Sequence, residues 1–204
     1  MQKELEQSGV ICVYASLEKV DATLENYRVD HDHQSAQLRP QSQVTRALAR
    51  WTLEQVWSIP IDQVSFGRDQ YGAVELWVAG QQWSVSFSHT KGCCAIAIAP
   101  SGLLGIDCER VQERRQRERL QRRFEHGYMQ DVNSKEQFFE RWTAAEAVTK
   151  AKRGALMPTL SLSMSADAPY LHWRRFQEWQ LCCYSTTTDN PPQWIDFSKN
   201  NHLS

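Results

Sequence analysis

The run Leu103-Leu104-Gly105-Ile106-Asp107-Cys108-Glu109-Arg110-Val111 sets two carboxylates two residues apart inside an apolar stretch. Side chains alternate across a strand, so Asp107 and Glu109 share one face and Cys108 points to the other. Like charges held that close repel unless a cation or a basic group lies between them. A solvated strand end with Arg110 as counter-charge would meet that need, and so would a bound metal ion. A second set of residues follows at helical spacing: Trp142, Glu146 and Lys150 line one helix face. An exposed Glu–Lys pair adds only a few tenths of a kcal/mol, but the apolar neighbours Ala145 and Val148 predict a packed helix whose charged stripe faces a cleft. Three carboxylates, Asp107, Glu109 and Glu146, suit a hard divalent ion, Mg²⁺ before Zn²⁺, of the kind that arrives with substrate phosphates. The Cys and His spacing that zinc requires is missing. Ser88 and His89, followed by Lys91 and Gly92, add a hydroxyl, an imidazole and a turn that can bind a phosphate or simply hydrogen-bond to each other.

The elements that must carry these groups can be read from periodicity. Residues 10–17 predict a first strand, and 18–37 are polar and rich in His and Asp. Apolar residues at helical spacing predict a helix over 42–57, with Ser42 as its cap and Pro60 just beyond. Alternation broken by glycines predicts short strands over 63–89. The turn Pro100-Ser101-Gly102 between two apolar runs predicts a hairpin that delivers Asp107. Helix formers cover 110–124 and 134–152, and Ser134 with Gln137 suits a capping box. Residues 171–185 return to strand, and the tail, with Pro191-Pro192-Gln193-Trp194 and residues 199–204, reads as loose. The class is α+β, in an N-terminal half (1–100) and a C-terminal half (101–204) with the acidic residues in the second.

Composition narrows the function. A chain of 204 residues with 41% hydrophobic and 23% charged residues has an ordinary globular balance, and its net charge of −1 argues for neither nucleic acid nor membrane. No apolar run approaches the roughly 20 residues of a membrane helix, and acidic residues precede the first apolar stretch, unlike a secretory signal. The six cysteines form no CxxC pattern and sit in strand-like runs, as small buried hydrophobes of a reducing cytoplasm would.

In order, Tyr71-Gly72, Ser86-Phe87-Ser88-His89-Thr90, Leu104-Gly105-Ile106-Asp107-Cys108-Glu109-Arg110 and the segment from Phe138 to Ala151 resemble the surfactin-type 4′-phosphopantetheinyl transferases. That family shows a G-K-P strand, an S-H dipeptide, a G-[VI]-D-x-E strand and a W-[TS]-x-K-E-[AS]-x-x-K helix. The resemblance spans about residues 40–185. It implies two similar α+β halves related by a pseudo-twofold, with the active site between them, in one chain that acts as a monomer. It also implies transfer of the phosphopantetheine arm of coenzyme A to a serine of an apo carrier protein, acyl or peptidyl, with release of 3′,5′-ADP. Asp107, Glu109 and Glu146 would hold Mg²⁺ on the coenzyme A pyrophosphate, and Glu146 would take the serine proton. Lys150 and His89 would neutralise phosphate charge, Ser88 would donate a hydrogen bond, and Gly72 would lie beside the coenzyme.

The sequence departs from the family at several points. G-K-P becomes Gly72-Ala73-Val74, the helix lysine becomes Ala145, and Arg153 and Ala155 stand where glycines do in the loop after Lys150. Arg39, Arg46, Lys152 or Arg153 could supply the missing positive charge. Two other readings compete with an active transferase. One is a degenerate relative that binds coenzyme A or a carrier protein without turnover. The other is a polyanion binder using residues 110–123, which hold seven Arg against two Glu, a net of +5. No aromatics interleave with that run, so nucleic acid is the weaker expectation.

Overall fold

The computed structural model describes residues 9–20, 24–28, 40–113, 115–187 and 190–199. Arg39, Arg114, most of the polar stretch 18–37 and residues 200–204 lie outside the described residues.

The chain alternates apolar strands with two long helices, and each helix covers its own sheet. In chain order the elements are β1 (Ile11–Ser16), α1 (Pro40–Trp57), β2 (Val64–Arg68), β3 (Val74–Val78), β4 (Gln81–Thr90) and β5 (Cys93–Ala99). There follow β6 (Leu104–Arg110), α2 (Arg117–Arg123), α3 (Lys135–Ala151), α4 (Leu156–Leu160), β7 (Leu171–Phe176), β8 (Trp179–Ser185) and β9 (Gln193–Asp196). Among the described residues, one sheet runs β2-β3-β4-β5-β1-β9 and the other β6-β8-β7. Every pairing is antiparallel except β1 with β9.

Strand alternation stacks the layers as α1, large sheet, small sheet, α3. Cys94, Ile96 and Ile98 of β5 join the core under α1, beside Leu48 and Leu53. The intervening Cys93, Ala95, Ala97 and Ala99 face the small sheet, meeting Ile106 and Cys108 of β6 and Leu181 and Cys183 of β8. Small side chains on that face leave room for bulk from the other sheet: the Phe176 ring lies 4.8 Å from Tyr14 and stacks 5.5 Å from Trp179. On the far side of the small sheet, Leu171, Cys182 and Tyr184 pack against Phe138, Trp142 and Val148 of α3. All six cysteines are buried free thiols. Among the described residues no helix is long and apolar enough to cross a membrane.

The α+β class and most elements agree with the sequence reading, including the capping box of α3, in which the Ser134 hydroxyl accepts from the Gln137 amide. Four expectations are corrected. The β5–β6 connection is not a hairpin: both edges of β5 are taken by β1 and β4, so β6 crosses to the other sheet and pairs with β8. The first long helix starts at Pro40, whose fixed φ and absent N–H suit a first turn, so Ser42 lies within the helix and does not cap it. The arginine-rich helix shrinks to α2, because Arg110 belongs to β6 and the Val111 amide still donates to Glu178 O at 2.8 Å. The tail is not loose up to residue 199. β9 closes the large sheet, and Phe197 is buried edge-on against Trp51 at 4.8 Å.

Candidate functional site

Where β6 runs beside β4 without joining its sheet, hydroxyls take the place of a backbone ladder. Ser84, Ser86 and Ser88 share one face of β4. Ser84 Oγ donates to Gly102 O at 2.6 Å, and Ser86 Oγ accepts from the Ile106 amide at 3.0 Å. Ser88 Oγ accepts from the Cys108 amide at 3.2 Å and spends its one proton on Asp107 Oδ1 at 2.8 Å. That proton is therefore directed at the carboxylate, which makes Ser88 a positioning group for Asp107. The Ser-x-Ser-x-Ser pattern of β4 was the sequence signal for this seam.

Lys150 reaches the same oxygen from α3. Its Nζ donates to Asp107 Oδ1 at 2.8 Å and to Ile106 O at 3.0 Å. The approach depends on Gly105, one residue before Ile106 on β6: a Cβ there would stand 1.9 Å from Ala147 O of α3. The Asp107 side chain is 4% exposed and that of Lys150 31%. Burial works against the ammonium, but the charge and hydrogen bond of Asp107, with Glu146 beyond, outweigh it and raise the Lys150 pKa. Asp107 Oδ2 is buried and has no hydrogen-bond partner.

Three of the residues singled out by sequence thus meet at one point: Ser88, Asp107 and Lys150. Glu146 lies close enough to act on Lys150 electrostatically. Glu109 is half-buried on the Asp107 face of β6, in register with Gln180. Among the described residues, no group of three or more His, Cys, Asp or Glu side chains is gathered to hold a metal ion. His89 is exposed and extends from the opposite face of β4, away from the Ser88 contact. Ala145 is fully buried in the core beneath α3, so a lysine at this position would displace that packing.

Beside this cluster a cleft of about 740 Å³ opens between the β2–β3 turn, β4 and the C-terminal end of α3. Gly72 and Lys150 both line it. Gly72 sits in the turn at φ 83°, a conformation that suits glycine. Asp69 Oδ1 builds that turn by accepting from the amides of Tyr71 at 2.9 Å and Ala73 at 2.8 Å. Its other oxygen pairs with Arg153 across the cleft end. Burial would raise the Asp69 pKa, but the Ala73 and Tyr71 amides and the Arg153 charge together lower it. Asp69 was missed from the sequence, although Asp-x-x-Gly is a readable turn pattern.

No protein-family model matches this chain, and no curated protein matches it. A buried carboxylate oriented by a hydroxyl can hold a cation, and the ammonium beside it, which lines the open cleft, can meet an anion.

Proposed function

We propose that this chain is a 4′-phosphopantetheinyl transferase of the surfactin type, acting on a serine of an apo carrier protein in the cytoplasm. The observation that carries the reading is the convergence of Ser88, Asp107 and Lys150, which come from three separated sequence motifs and meet beside the cleft. The stacking of two helix-backed sheets also supports it, since two similar α+β halves would pack in this way.

The donor set fits a hard ion in its chemistry. Asp107 Oδ2 is a buried carboxylate oxygen with no partner, and Glu109 shares its strand face. Asp107, Glu109 and Glu146 would hold Mg²⁺, which would neutralise charge on the coenzyme A pyrophosphate. Lys150 would hold negative charge at the phosphate beside the cleft, and Glu146 would accept the serine proton as the serine oxygen bonds to phosphorus and the pyrophosphate P–O bond breaks, releasing 3′,5′-ADP. The chain's contribution to rate is positioning and charge stabilisation by groups already in place.

A second reading, a coenzyme A or carrier-protein binder without turnover, is favoured by one observation: the carboxylates are not gathered as a metal group among the described residues. Intact-mass analysis of apo carrier proteins incubated with coenzyme A, Mg²⁺ and this chain separates the two. A mass gain of one phosphopantetheine arm, lost when a chelator removes the metal, is expected. An unchanged carrier mass across acyl and peptidyl carriers, with coenzyme A still bound, would replace the transferase by the binder.

A further inference from the structure

Of the four cations that could supply the positive charge missing from the sequence, the surroundings of the three described ones single out Arg153. Arg39 lies outside the described residues. Arg46 is buried on α1 over the Phe66 ring, 5.5 Å from its centroid. Lys152 donates to Asp167 at 2.6 Å and sits over Tyr184, on the side of α3 that meets the small sheet. Arg153 lines the cleft itself, with a side chain 49% exposed, while its partner Asp69 is only 8% exposed.

The backbone at Arg153 is also unusual. It follows the last turn of α3 at φ 51°, the left-handed position that glycine usually fills, and the next residue is a glycine. A long charged side chain kept at such a position, pointed at a cleft and held there by one carboxylate, has the geometry of a latch. Asp69 itself is fixed: the Tyr71 and Ala73 amides hold its other oxygen. The other charged side chains lining the cleft are Glu75 and Lys150, and Lys150, which the coenzyme reading also sets against phosphate, is shared with Asp107.

We infer that Arg153 is a phosphate-binding residue of the cleft, held by Asp69 until an anionic ligand of the nucleotide bisphosphate class displaces the carboxylate. This rests on the coenzyme reading for the identity of the ligand, though not for its charge. A guanidinium offers a phosphate paired N–H donors, and a phosphate group brings more charge and more acceptor oxygens than the single Asp69 oxygen that Arg153 meets now. The Asp69 bond therefore lowers affinity for anions and discriminates against weak ones.

The test uses calorimetry with three probes, coenzyme A, 3′,5′-ADP and inorganic pyrophosphate, on the wild type and three variants. Asp69→Asn keeps the oxygen that accepts from the turn amides and removes the charge. Arg153→Gly suits the left-handed backbone, so both variants should fold, which circular dichroism checks. Asp69→Asn should tighten the phosphate probes by about fivefold and Arg153→Gly should weaken them by about fivefold or more. In the double variant the gain from Asp69→Asn should vanish, because it acts only through Arg153. Equal binding of coenzyme A by all four proteins, or the same gain from Asp69→Asn without Arg153, overturns the latch and leaves the coenzyme reading standing. Pyrophosphate binding that depends on Arg153, with no coenzyme A binding, supports the latch and removes the coenzyme reading. No binding of any probe to the wild type removes both.

Discussion

Asp107 Oδ1 receives a hydroxyl from β4 and an ammonium from α3, so a single oxygen ties together three elements that are far apart in sequence. The two charged partners are not equivalent. Removing Lys150 leaves a buried carboxylate with Ser88 alone, whereas neutralising Asp107 leaves an ammonium that still reaches solvent. Lys150→Met should therefore destabilise the fold by about 2 kcal/mol, and Asp107→Asn by less. Urea unfolding measures both, and equal losses would show that the carboxylate left without Lys150 is no worse off than the ammonium left without Asp107. If the chain is the proposed transferase, both variants should lose transfer, read by carrier mass. The pH dependence follows from the raised Lys150 pKa. The folded chain holds that proton more tightly than the unfolded chain does. Its contribution is complete below the ordinary lysine value of 10.5 and is lost as the pH rises through the folded value. The stability gap between wild type and Lys150→Met should thus be full at neutral pH and shrink in strongly alkaline buffer.

At the scale of elements, α3 sits on β6 only because residue 105 has no side chain. Gly105→Ala would place a methyl 1.9 Å from a backbone oxygen of α3, so the helix must move. A loss of about 3 kcal/mol is expected, against about 1 kcal/mol for Ser134→Ala at the capping box. Thermal melts of the two variants would rank them, and the reverse order would show that α3 is held by its cap more than by its seat. The cap, the strand of Asp107 and the helical stripe of Glu146 and Lys150 were legible because each depends on local spacing. Partner choice was not. The chain does bend at Pro100–Gly102, but whether β6 folds back on β5 depends on whether a β5 edge is vacant, which no local window records. The length of α2 was misread for a similar reason, since pairing across to Glu178 overrides helix propensity at Val111. Within and before α2, Arg115, Arg119 and Arg122 are exposed. If they guide an acidic carrier, replacing all three by Ser should raise the apparent KM for the carrier at low salt and not that for coenzyme A. The difference should fade as the screening length falls from about 10 Å at 0.1 M salt to about 3 Å at 1 M. Identical carrier dependence at low salt would make them a solvated surface.

For the whole molecule, the large sheet meets the small one through small residues, Ala95, Ala97, Ala99 and the thiols of Cys12 and Cys93, and the fit depends on what the opposite sheet inserts. The sequence showed these residues as apolar runs; it could not show that two sheets meet there, because burial on both faces of a strand looks the same whatever covers it. The edge of the large sheet is a separate matter. Phe197 packs on Trp51 just after β9, so Phe197→Ala should cost about 3 kcal/mol and loosen β9 from β1. Amide exchange along Ile11–Ser16 would report that loosening, and unchanged protection there would mean that β9 holds without its anchor. The parallel pairing of Ile11 with Gln193 also has a consequence for how the protein is made. A ribosome releases β1 before every element that lies between it and β9, and β9 only after all of them have emerged. Until then one side of a fully buried strand, Ile11–Ser16, has no neighbour and can recruit a strand from another nascent chain. Slow translation or a stall before residue 193 should therefore favour aggregation, and chaperones that shield open strand edges should be needed most in that interval.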